Sequence, residues 1–150
     1  MKKFTLKEYL KLLKDADLVA SADLLGKEDV LVEDITYNSK EAAAGTFFIC
    51  KGAAFKPAYL QMALDAGAVG YVSEVDYGVD APHIIVKDVR VAMPAIADFF
   101  YQQIWKKLNL IGLTGTKGKS TTVYFIKAIL DDYLIANGKH DSAVLSSIKT

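Results

Sequence analysis

The chain has 150 residues, 52% of them hydrophobic and 24% charged, enough apolar side chains for one ordinary domain, or for a smaller domain followed by part of another. Its 18 basic and 18 acidic residues cancel, so no overall field gathers nucleic acid or anionic lipid, and any anion site must be local. The lone Cys50 excludes an internal disulfide and reads as a buried structural thiol, and neither His83 nor His140 shares a metal-ligand spacing with it.

Met1-Lys2-Lys3 resembles the start of a signal peptide, but Lys7, Glu8, Lys11 and Lys14 interrupt any apolar run behind it. No apolar stretch is long enough for a bilayer, so a soluble, cytoplasmic protein without membrane contact is expected. Thr5 to Leu13 predicts a helix: Thr5 and Glu8 have capping-box spacing, and Leu6, Tyr9, Leu10 and Leu13 fall on one face. Leu31 to Tyr37 predicts a strand closed by Asn38-Ser39-Lys40, and Ala44-Gly45 turns the chain into a second strand, Thr46 to Cys50. Pro57 to Ala66 reads as a helix that starts with proline and stops at Gly67. Ala68 to Val72 and His83 to Val86 are short apolar runs with the character of strands. Val91 to Trp105 predicts a long helix that tolerates Pro94 only in its first turn, with Ile96, Phe99, Phe100 and Ile104 as its core stripe. Strands and helices alternating at these lengths predict an α/β domain with a parallel or mixed sheet.

A boundary is expected at Lys106-Lys107-Leu108-Asn109, where a fresh strand-loop-helix unit begins. The run Leu108 to Leu113 predicts its strand. From Lys119 onward, Val123, Ile126, Ile129, Leu130, Tyr133 and Leu134 predict a helix with a buried stripe, ended by Asn137-Gly138, and Ala143 to Leu145 suggests a further strand.

Between that first strand and the helix lies Gly115-Thr116-Lys117-Gly118-Lys119-Ser120-Thr121. Phosphate oxygens are reached by backbone N–H groups only where side chains do not intrude, which suits Gly115 and Gly118. Lys119 supplies a cation for the β- and γ-phosphates, and the Ser120 hydroxyl suits Mg2+. The strict G-x-x-x-x-G-K-[ST] pattern is not met, because Leu113 stands where its first glycine belongs. The competing explanation is a helix with a glycine-rich first turn and an incidental lysine.

Thr114 to Thr122 resembles the G-T-x-G-K-[TS]-T loop of the Mur ligases, with Lys117 where that family more often has Asn. Upstream, Ile35-Thr36-Tyr37-Asn38-Ser39-Lys40, Ala44-Gly45-Thr46-Phe47-Phe48-Ile49 and Lys51-Gly52 resemble the D-S-R…P-G-D-L-F-V-A…G signature of the MurE and MurF types. Val86-Lys87-Asp88-Val89-Arg90, leading through Ala95 to Tyr101 into the phosphate loop, resembles MurE, and Thr116 also favours MurE over MurF.

This resemblance implies a small mixed-sheet domain over residues 1–107 that binds UDP-N-acetylmuramoyl-L-alanyl-D-glutamate. Residues 108–150 would then be the first strand, P-loop and helix of an ATP-binding domain. It implies ATP-dependent amide formation through an acyl phosphate, adding a diamino acid in peptidoglycan precursor synthesis, with ATP and Mg2+ as cofactors. The expected ATP-binding residues are Gly115, Thr116, Lys117, Gly118, Lys119, Ser120 and Thr121, with Lys119 catalytic and Ser120 also a metal ligand. Ser39 is the expected substrate contact. Asn38 and Lys40 are further candidates beside it, and Lys51 and Lys56 flank a loop able to approach a diphosphate. Without the resemblance, Asn38-Ser39 reads as a turn whose side chains bond the local backbone.

A monomer without nucleic-acid partners is expected. The acidic Mg2+ ligand, the modified lysine and the amino-acid-binding domain of the family have no counterpart in these residues, so the segment alone is expected not to ligate. Alternatives are a stand-alone UDP-sugar-binding module with a vestigial P-loop, or a MurF-type segment.

Overall fold

In the computed structural model, which describes residues 2–52 and 54–145, the chain divides into two units, Met1–Lys107 and Leu108–Thr150. The first runs β1 (Phe4–Thr5), α1 (Leu6–Asp15), β2 (Val19–Asp23), β3 (Leu31–Val32), β4 (Asp34–Thr36), β5 (Thr46–Ile49), α2 (Pro57–Asp65), β6 (Gly70–Ser73), β7 (His83–Val86) and α3 (Val89–Phe100), then a 3-10 turn at Ile104–Lys107. The second contains α4 (Lys119–Ala136).

The main sheet has the order β2-β7-β6-β5-β4. Strands β4, β5, β6 and β7 are parallel, with Thr36 beside Phe48, Ile49 beside Val72 and Val72 beside Ile84; β2 closes the β7 edge antiparallel. The expected mixed-sheet α/β domain is the one observed. Strands β5 and β6 are buried at every position, as parallel strands covered on both faces must be. Alternate side chains divide the core. Phe47, Ile49, Val72, Ile84 and Val86 pack with Leu6, Tyr9 and Leu13 of α1 and Ala92, Ile96 and Phe100 of α3. Phe48, Cys50, Tyr71 and Ile85 pack on the other face with Leu60 and Ala63 of α2. Cys50 is buried as expected, and burial pushes its thiol up to about 12, which keeps it protonated and inert near neutrality.

Local chemistry sets the element ends. Thr5 caps α1 in a full capping box: Glu8 N–H donates to Thr5 Oγ1 and Thr5 N–H to Glu8 Oε2 at 2.8 Å. Gly45 takes φ 84° against Glu33, where a Cβ would lie 2.4 Å from that side chain's Cγ, so only glycine fits this turn.

Several expectations are corrected. The strand expected over Leu31 to Tyr37 is two: β3 pairs antiparallel with β1, and β4 joins the main sheet beside β5. Glu33 separates them, its N–H turned to the Gly45 carbonyl at 2.9 Å. Strand β2 was not foreseen; Val-Ala-Ser-Ala-Asp on an exposed edge has too little apolar alternation to signal itself. The last helix of the unit spans Val89–Phe100, not Val91 to Trp105. It starts early because Asp88 caps it, accepting from Arg90 N–H at 2.7 Å, and Pro94 therefore lies inside the helix rather than in its first turn. It stops early because Gln102 and Gln103 adopt φ 55° and 53°, and Ile104 is 52% exposed instead of core.

In the second unit neither Leu108 to Leu113 nor Ala143 to Leu145 forms a strand among the described residues. A lone parallel strand has no hydrogen-bonded neighbour to define it. The stripe expected on α4 is partly met: Val123, Ile126, Leu130 and Leu134 are half-buried, while Ile129 and Tyr133 are 70% and 62% exposed. Asn137 caps this helix and Gly138 leaves it at φ 68°, as expected.

Candidate functional site

The parallel strands β4 and β5 deliver their carboxyl ends to one edge of the sheet, where open α/β sheets bind ligands. There a cavity of about 490 Å3 is lined by Tyr37, Ser39, Lys40, Lys51, Phe55 and Tyr59, among others. Its rim begins as a turn from Asn38 to Glu41, closed by Glu41 N–H donating to the Asn38 carbonyl at 2.9 Å. Ser39 is half-buried in this turn, and its hydroxyl makes no hydrogen bond among the described residues. Lys51 extends its ammonium over the Tyr37 ring, 4.4 Å from the centroid. Cationic, hydroxyl and aromatic groups thus line one concavity, a set suited to a phosphorylated, ring-bearing ligand.

Asn38, expected either as a possible ligand contact or as a turn residue, is bonded within the turn. Its N–H donates to Thr36 Oγ1 (3.1 Å), its Oδ1 accepts from Lys40 N–H (3.2 Å) and its Nδ2 donates to Glu41 Oε1 (2.9 Å). Its backbone N–H and carbonyl, its Oδ1 and one Nδ2 N–H serve the turn, as the local reading describes, whereas the Ser39 and Lys40 side chains remain available. Glu41 was not foreseen. The signal was present, since an Asn followed three residues later by Glu sits at one β-turn's span. Lys56 is exposed and does not line this cavity.

In the second unit, Gly118 precedes α4 at φ 77°, and Gly115 holds φ 153°. The left-handed turn at Gly118 is open to glycine without strain, and no Cβ narrows the approach to the loop. Helix α4 has no side-chain cap, and its first intrahelical bond is Thr122 N–H to the Gly118 carbonyl at 2.9 Å. The N–H groups of Lys119, Ser120 and Thr121 therefore lack intrahelical acceptors and stand at the positive end of an 18-residue helix. Lys119 Nζ donates to the Gly115 carbonyl, which folds the lysine back across the loop. Thr116 and Lys117 are exposed and Ser120 is half-buried. The donor set fits a polyphosphate: free amides, two cations and a hydroxyl for a hard metal ion.

Farther along α4, Asp131 anchors the returning chain. Its carboxylate accepts from Lys127 Nζ at 2.5 Å and from the Ser142 N–H and hydroxyl, each at 2.7 Å. Lys127 first, then Ser142, holds the Asp131 carboxyl down from 3.8 to about 2. Because the folded value is the lower one, this contact stabilises above the ordinary carboxylate range and is lost as pH falls from about 4 toward 2. A carboxyl-carbon NMR titration is expected to find its midpoint near 2; ordinary titration near 3.8 would show that the anchor does not form.

No helix among the described residues is long and apolar enough to cross a membrane. No protein-family model matches the chain.

Among solved structures, MurF from Acinetobacter baumannii matches 91% of this chain and 28% of its own at a TM-score of 0.65 and 21% identity, with a second crystal structure of it at 0.64 over 88%. The fold is therefore that of a Mur ligase. In sequence, the UDP-N-acetylmuramoyl-L-alanyl-D-glutamate--L-lysine ligase of Streptococcus pneumoniae serotype 2 is 44% identical over 121 residues, 81% of this chain and 24% of the relative. That of Streptococcus agalactiae serotype III is 41% identical over 123 residues, 82% of this chain and 24% of the relative. The UDP-N-acetylmuramyl-tripeptide synthetase of Lactobacillus delbrueckii subsp. bulgaricus is 38% identical over 139 residues, 91% of this chain and 26% of the relative. Over most of its length the chain is thus similar to Mur ligases of the MurE type. It spans about a quarter of the length of the curated relatives it matches.

Proposed function

We propose that this chain supplies the sugar-nucleotide domain (1–107) and the phosphate loop (within 108–150) of an ATP-dependent ligase. That ligase adds L-lysine to UDP-N-acetylmuramoyl-L-alanyl-D-glutamate. The observation that carries the nucleotide part is the uncapped start of α4: Gly118 at φ 77° turns the loop directly into free N–H donors. Free amides open any helix; here they coincide with the Gly118-Lys119-Ser120-Thr121 run, which adds a cation and hydroxyls at the same end. The lysine assignment is supported by relatives at 41–44% identity that carry L-lysine in their names. The MurF likeness, at 21% identity, speaks for the fold alone.

A carboxylate is a poor electrophile because oxide is a poor leaving group. Bound MgATP supplies the γ-phosphoryl that converts it to an acyl phosphate, from which the amine of the amino acid displaces phosphate. The chain's own residues position and neutralise. Gly115, Thr116, Lys117, Gly118 and Thr121 shape the loop and orient its amides, Lys119 balances charge on the β- and γ-phosphates, and Ser120 offers its hydroxyl to Mg2+. Ser39, assisted by Lys40 and Lys51, orients the sugar nucleotide.

The test is turnover by a full-length ligase carrying this chain. ADP and phosphate are expected in equal amounts to the amide, and only when ATP, UDP-N-acetylmuramoyl-dipeptide and L-lysine are all present. Formation of AMP and pyrophosphate, or amide formation without ATP, would refute the mechanism.

A further inference from the structure

The Asn38–Glu41 turn raises a question that its charge makes sharp. A ligand bearing a diphosphate would approach a rim that carries Lys40 and Lys51 but also the carboxylate of Glu41. On charge alone Glu41 opposes such a ligand. Its contacts are directed inward, however. Oε1 accepts from Asn38 Nδ2 at 2.9 Å, and Oε2 accepts from Thr36 Oγ1 at 3.3 Å. Thr36 is buried at the end of β4, and its Oγ1 also accepts from Asn38 N–H at 3.1 Å. The carboxylate therefore ties the exposed turn to the rigid end of a core strand.

We propose that Glu41 is a positioning residue for the sugar-nucleotide site, holding Asn38 against Thr36 so that Ser39 and Lys40 meet the ligand already ordered. This rests on the reading of the cavity as a UDP-sugar site. A site preorganised in this way binds more tightly because the turn is not ordered at the ligand's expense. Two opposing effects decide the outcome of removing the carboxylate. Loss of charge tightens binding of an anion, whereas loss of the turn weakens it. The two hydrogen bonds to a charged acceptor outweigh the repulsion of one exposed carboxylate screened by water.

Calorimetric titration of the chain with UDP separates these effects. Glu41→Ala is expected to weaken UDP binding by about tenfold, from two charge-assisted hydrogen bonds lost. Its melting temperature should stay within about 2 °C, because the residue is exposed. Glu41→Gln retains one acceptor oxygen and is expected within about threefold of the parent. Asn38→Asp, which sets two carboxylates against each other, should weaken binding. The double variant Asn38→Asp/Glu41→Gln restores a donor–acceptor pair at unchanged net charge and should recover most of it. A purely electrostatic role does not produce that recovery, and a purely structural role would lower the melting temperature of Glu41→Ala along with its affinity. Equal or tighter UDP binding by Glu41→Ala, or no recovery in the double variant, would overturn the inference alone. Failure of the parent chain to bind UDP would overturn the reading of the site as well.

Discussion

Replacing Lys119 with alanine in a full-length ligase carrying this chain is expected to lower kcat by about two to three orders of magnitude, the usual cost of deleting one preorganised charge from a transition state. The folded structure offers little else for the lysine to do. Its side chain is exposed, and among the described residues its one hydrogen-bond partner is the Gly115 carbonyl of the same loop. Melting temperature should therefore be unaffected, and the loss should appear in kcat rather than in affinity for the sugar nucleotide. Lys117→Ala is the informative companion. That side chain is exposed on the same loop, but it does not lie at the start of α4, so its removal should raise the apparent KM for ATP with a much smaller change in kcat.

Phe47→Ala is expected to destabilise the first unit by about 3–5 kcal/mol, enough to lower its melting temperature by about 15–25 °C in a domain of this size. Phe47 is fully buried on β5, an interior strand of the sheet, with its ring 5.4 Å from that of Tyr9. Its neighbour across β6 is Gly70, which has no side chain to fill the space left behind. Gly70 cannot be enlarged to compensate either, since a Cβ there would lie 2.8 Å from the Pro82 carbonyl oxygen. Val75→Ala, at a position 58% exposed, should change stability by no more than about 0.5 kcal/mol. Equal effects from the two substitutions would contradict the layered core.

Those two sites also show why some of the protein could be read from its residues and some could not. Phe47 and Phe48 lie in an unbroken apolar run, a pattern that announces a strand covered on both faces. Thr5 and Glu8 announced a helix start because a capping box is local chemistry, complete within four residues. His83–Val86 was legible for the same reason as Phe47. Strand β2 was not, because its place on the edge is set by β7 rather than by its own side chains. The division at Glu33 depends on a bond to Gly45, twelve residues away, that no periodicity reports. Pro94 misled through a sound rule applied to a helix start two residues too late; Asp88 was the cap that would have corrected it.

The candidate sites divide along the same line. The candidate phosphate loop, Gly115 to Thr121, is contiguous, so its glycines, lysine and hydroxyl were visible as one motif. The cavity beside Ser39 and Lys51 joins the end of β4 to the loop after β5, and its arrangement emerges only when the sheet brings them together. The sequence offered Asn38 either as a possible ligand contact or as a turn residue, and its amide is bonded to Glu41 and Lys40 within the turn.

Calorimetric titration of this chain with AMP, ADP and ATP in the presence of Mg2+ addresses the phosphate loop without requiring catalysis. Affinity should rise with each added phosphate and fall on Lys119→Ala, because free amides and a lysine grip charge rather than the base. Equal binding of all three nucleotides, or binding of ATP untouched by that substitution, would contradict the account.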